Sequence, residues 1–115
     1  MPKKSFANTS LSPKTISTLK ILGENIKTAR LRRNVTLAEM AERTFMTRNR
    51  LRKVERGDPT VGLGALAQVL EYLELSDQLL LIAKPETDEL GKALEQRNRK
   101  KRASKKQLPD TDLDF

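Results

Sequence analysis

Between positions 13 and 83 apolar residues recur at steps of three and four, separated by polar and charged positions. Ile16, Leu19, Leu22, Ile26 and Ala29 form one such stripe. Ser12-Pro13 ahead of it reads as an N-cap followed by Pro at the first helical position, so the spacing predicts an amphipathic helix over 13–33, with Gly23 as a place where it can break. Thr36 with Glu39 three residues later is a capping box, which predicts a short helix burying Leu37, Met40 and Ala41 and ending near Thr44. Thr47 is the N-cap candidate of a third segment, with Leu51 and Val54 inward and Arg48, Asn49, Arg52 and Lys53 outward. Gly57-Asp58-Pro59 stops it. A fourth helix, about 63–73, presents Leu66, Val69, Leu70 and Leu73, and Ser76 is expected to cap a fifth containing Leu79, Leu80 and Ile82. No stretch alternates with period two, so the fold class is all-α, with short helices and short connections.

The apolar pattern thins after Lys84. Leu90 and Leu94 support a helical extension, but residues beyond about 96 offer too little apolar surface to offset ordering entropy, and disorder is expected there. Three regions follow: a flexible basic arm over 1–12, a folded helical domain over 13–84, and an extension with a disordered tail over 85–115.

With 115 residues there is room for one small globular unit and charged appendages. The net charge of +8 points to an anionic partner such as nucleic acid. The chain has no His and no Cys, which removes zinc sites built on those ligands, disulfides, thiol nucleophiles and Ser-His-Asp relays. A non-enzyme without cofactor or metal is therefore expected. Asp110, Asp112 and Asp114 read as solvated charge rather than a metal cage. The longest apolar run, Leu79 to Ala83, is far short of the roughly 20 residues that span a bilayer, so no membrane partner and a cytoplasmic location are expected. The C-terminal charge is arranged in blocks: seven of the ten residues from Arg97 to Lys106 are basic, and three Asp follow.

The segment from Thr36 to Glu55 is two short helices joined by about three residues, the spacing of a helix-turn-helix. In that geometry the outward side chains of the second helix can enter a major groove about 12 Å wide. From Arg43 to Arg56 there are six basic residues and one acid. Arg48 and Lys53 can donate to guanine O6 and N7, Asn49 can pair bidentately with adenine, and Arg50 or Arg52 can reach phosphate. Because one recognition helix covers only a few base pairs, a two-fold homodimer is expected on operator DNA. Leu79 to Ile82 exceed what a small core needs and are placed at the dimer contact, with burial under the first helix as the alternative.

Residues from about Leu22 to Ile82 resemble the five-helix domain of lambdoid phage repressors and xenobiotic-response-element regulators. The likeness rests on Gly23-Glu24-Asn25-Ile26 with Arg30, on Thr36 to Ala41, on Thr47 to Gly57, on Pro59 and on the apolar positions of the fourth helix. It implies that Thr47, Arg48, Asn49 and Lys53 reach bases or adjacent phosphates, that Arg56 lies near the backbone, and that Arg30 and Glu55 form an ion pair joining the first helix to the recognition helix. Two positions depart from that pattern. Phe45 stands where the turn usually has Gly, which predicts a reshaped turn, and Leu37 replaces a Gln that often contacts phosphate.

The order of a repressor-type domain, a basic stretch and the ending Leu113-Asp114-Phe115 also resembles the antitoxins of HipBA kinase modules. That resemblance implies a dimeric antitoxin and autorepressor whose tail docks on a HipA-like kinase toxin, of one chain or split into two. A stand-alone phage-type repressor is the alternative, and a helical adaptor using Arg97 to Lys106 on RNA or ribosomes is another. The adaptor has only Phe6, Phe45, Tyr72 and Phe115 for stacking on unpaired bases.

Overall fold

The computed structural model describes residues 10–105. It divides into two compact units, one ending at Leu79 and the other starting at Leu80. Among the described residues the first unit holds the helices α1 (Pro13–Arg32), α2 (Leu37–Arg43), α3 (Arg48–Arg56) and α4 (Leu63–Tyr72). Among the described residues there is no strand, in keeping with the all-α reading.

Local chemistry sets the helix starts. The Ser12 hydroxyl accepts from the Thr15 N–H at 3.1 Å, with Pro13 behind it opening α1. At α2 the capping box closes reciprocally, Thr36 Oγ1 accepting from Glu39 N–H at 3.1 Å and Glu39 Oε1 from Thr36 N–H at 3.4 Å. Thr47 caps α3 by accepting from the Arg50 N–H at 3.1 Å. Ile26, Met40, Ala41, Leu51, Val54, Val69, Leu70 and Leu73 meet in one buried cluster, flanked by Leu22, Ala29, Leu37, Leu66 and Leu79.

Three expectations are corrected. α1 runs unbroken through Gly23, because the absent side chain serves packing rather than a kink: a Cβ there would lie 2.5 Å from Gly57 N and 2.6 Å from Glu55 O. Ser76–Leu81 is a 3-10 segment rather than a fifth α-helix, and Leu80, Leu81 and Ile82 are exposed rather than buried. Pro85 leaves too few residues for an α-helix to offset its nucleation, and only Leu79 turns toward the core.

In the second unit a short 3-10 turn at Pro85–Thr87 leads into α5 (Glu89–Lys105). Disorder beyond about 96 is thus replaced by helix as far as Lys105. Ala93, Leu94, Glu95 and Gln96 are strong helix formers, the Asp88 carboxylate accepts from the Gly91 N–H at 2.9 Å, and Lys92–Glu89 and Arg99–Glu95 pair one turn apart at 3.1 and 2.8 Å. The remainder of the expected tail, with Leu113, Asp114 and Phe115, and most of the N-terminal arm lie outside the described residues.

Candidate nucleic-acid interface

α3 separates its side chains sharply. Leu51, Val54 and Glu55 are buried against the core, while Arg48, Asn49, Arg50, Arg52 and Arg56 are exposed and Lys53 is half-buried. At about 100° of rotation per residue, Arg48, Asn49, Arg52, Lys53 and Arg56 fall within an arc of roughly 140°. Arg52 lies in that arc between Arg48 and Arg56, on the same face as the expected base readers Arg48, Asn49 and Lys53 rather than apart from them. Arg50 is not in the arc. It sits on the flank beside Val54, close to the helix start where Thr47 caps.

The rigidity of α3 comes from two ties to α1. The first is the pair of Arg30 and Glu55, both buried: Arg30 Nε donates to Glu55 Oε2 at 2.6 Å and an NH2 nitrogen donates to Oε1 at 3.0 Å. The other terminal nitrogen donates to the Val35 carbonyl at 2.9 Å, so the guanidinium also holds the turn after α1. The hydrogen bonding to the Glu55 carboxylate raises the Arg30 pKa above its ordinary value, burial opposing it and the Glu55 charge adding to it. No buried side-chain polar atom among the described residues lacks a partner. The second tie is a close backbone approach. Gly57 ends α3 at φ 69°, and a Cβ on it would strike the Leu19 carbonyl.

The turn between α2 and α3 keeps its shape despite Phe45. That residue adopts φ 58°, the conformation a Gly would take, and its ring is 91% exposed. Thr44, buried at the end of α2, returns its hydroxyl to the Met40 carbonyl at 2.6 Å. Leu37 is half-buried on the core, so packing occupies the position where a phosphate-contacting Gln was expected from the resemblance.

After α3, the Asp58 carboxylate accepts from both the hydroxyl and the N–H of Thr60, at 2.6 and 2.8 Å. These bonds, the hydroxyl's foremost, hold the Asp58 pKa below its ordinary value, and the nearby Lys53 and Arg56 charges contribute. In the sequence Asp58 reads only as part of a helix stop. Asp followed two residues later by Thr is the pattern that would have revealed this turn.

Residues 21–81 match the helix-turn-helix domain family, just over half of the chain. The chain belongs to that family. It is a DNA-binding helix-turn-helix protein, and the matched span contains α2 and α3. No curated protein and no solved structure matched it. Among the described residues no group of three or more acidic side chains is placed to hold a metal ion, and no helix is long and apolar enough to cross a membrane.

Proposed function

We propose that this helix-turn-helix protein is a sequence-specific repressor that reads double-stranded operator DNA as a homodimer, with α3 in the major groove. The observation that carries this reading is the exposed arc of Arg48, Asn49, Arg52, Lys53 and Arg56 on a helix whose opposite face is locked by Arg30–Glu55 and Gly23–Gly57. Arg48, Asn49 and Lys53 supply base contacts. Thr47 and Arg50 at the start and flank, with Arg52 and Arg56 along the arc, supply phosphate contacts, and the place of Arg52 between Arg48 and Arg56 also gives it reach to a base edge.

Selection of duplexes from a random pool yields the operator, after which specific and random duplexes are titrated at two salt concentrations. Arg48→Ala and Asn49→Ala are each expected to lose about 1–3 kcal/mol of base discrimination per half-site, with the fold intact. Equal weakening on specific and random DNA by both variants would remove these residues from base reading.

The finer reading makes the protein an antitoxin that represses its own operon and neutralises a HipA-like kinase. Its support is the sequence order of repressor-type domain, basic stretch and Leu113-Asp114-Phe115, in which Leu113 and Phe115 offer apolar anchors and Asp114 a charge for a basic rim. Phe115→Ala is expected to weaken capture of the kinase without changing operator affinity. Undiminished capture by a chain truncated after Lys106 would take the tail out of the mechanism.

A further inference from the structure

The densest single-sign charge of the described chain lies outside the helix-turn-helix. Residues 97–105 hold six Lys and Arg and no acid, all within α5. Arg97, Lys100 and Lys101 are exposed, have no ion-pair partner among the described residues, and fall within roughly 100° of one another around the helix. Arg99 is already engaged by Glu95.

Helix formation does not account for this grouping. The field of the helix dipole favours cations only in the last turn, and Arg97, Lys100 and Lys101 precede it. Arg97 stands three and four residues before Lys100 and Lys101, the spacing at which like charges repel and weaken a helix. Nor does a core account for it, since no residue from Glu89 to Ser104 is buried and Leu90 and Leu94 are exposed. An ordered helix that carries mutually repelling cations on one side gains stability when that side meets a dense array of anions.

Resting on the DNA-binding reading above, we infer that the C-terminal half of α5 is a second DNA contact, a sequence-blind clamp on the phosphate backbone of the duplex. Arg97, Lys100 and Lys101 are its central cations. Phosphate neutralisation by Lys and Arg releases counterions and carries no base information, so the clamp sets affinity and salt dependence while α3 sets sequence preference. It also supplies backbone contacts of the kind that Leu37 withholds from α2.

The test is a triple variant of the full chain, Arg97→Ala/Lys100→Ala/Lys101→Ala, in which Ala preserves helix propensity and circular dichroism checks it. Binding to a 30-base-pair random duplex and to the selected operator is followed by fluorescence anisotropy as salt is raised. The salt slope should fall by about 0.9 for each phosphate no longer neutralised, so by roughly two to three, and both duplexes should weaken by the same factor. An unchanged slope with operator preference retained would overturn the clamp and leave operator reading standing. A reduced slope in a protein with no preferred sequence would support the clamp and overturn operator reading. Tighter binding of the wild type to a single-stranded RNA of equal length, abolished by the same triple variant, would reassign the face to RNA and overturn the duplex clamp.

Discussion

Phe45 holds a left-handed conformation, φ 58°, that costs a side-chain-bearing residue about 1–2 kcal/mol, and its exposed ring offsets little of that by packing. Gly would remove the strain and lose about 0.5–1 kcal/mol through the entropy of the unfolded chain. Phe45→Gly is therefore expected to raise stability by about 0.5–1 kcal/mol, readable in denaturant unfolding; a destabilised variant would mean that the ring packs on the protein. Asp58 makes a pH-dependent contribution of its own. Its pKa is lowered in the folded state, so the stability it supplies is present above the unfolded value near 3.8 and is lost as pH falls through the folded one. Thr60→Val removes the hydroxyl that contributes most to the shift. The variant should melt below the wild type at pH 7, and the gap should close as pH drops under the unfolded value. A gap independent of pH would assign the loss to Thr60 packing rather than to the carboxylate.

The first four helices all stop in the same way, although only one of the stops carries a glycine. Asn34, Phe45, Gly57 and Glu74 each take positive φ after α1, α2, α3 and α4, and in each turn the following N–H bonds back five residues: Val35 to Arg30, Met46 to Ala41, Asp58 to Lys53 and Leu75 to Leu70. This is the hydrogen-bond pattern of the Schellman motif. Gly57 announces it by its own flexibility. At the other three, the apolar Val35, Met46 and Leu75 pack on the core and draw the preceding residue into the left-handed region, a signal carried by the residue after the stop. Helix starts were legible because Ser12, Thr36 and Thr47 act through bonds three residues long. Beyond 96 the sequence has no core-forming capacity, and α5 persists there on local propensity and pairing, which an apolar pattern does not register. The tie between α1 and α3 is the element-scale feature with the largest expected cost. Glu55→Ala strands the buried Arg30 guanidinium and should lose about 3–5 kcal/mol, against little for the exposed Glu71→Ala. Equal melting temperatures for the two would mean that Arg30 finds water when Glu55 is gone, and α3 would then be held by the Gly23–Gly57 approach alone.

For the whole molecule, the candidate site was legible in its residue types and in its opposition to the core, because α3 alternates buried and exposed positions with helical period. The grouping of Arg52 with the base-reading face, and the separation of Arg50 from it, emerged only from rotation around the helix. Assembly remains the largest-scale step of the proposal. Leu80, Leu81 and Ile82 are 75%, 60% and 69% exposed, three consecutive apolar side chains that a water-facing surface has no use for and a two-fold contact does. Leu81→Asp/Ile82→Asp places two carboxylates where such a contact would exclude water. Since both side chains are already exposed, the monomer should melt within about 0.5 kcal/mol of the wild type. Sedimentation equilibrium should nevertheless show the dimer replaced by monomer. Affinity for a two-half-site operator should then fall by about 10²-fold or more, because the second half-site is no longer delivered at high effective concentration, while affinity for a single half-site stays unchanged. A variant that keeps both dimer mass and operator affinity would place the two-fold contact on another surface.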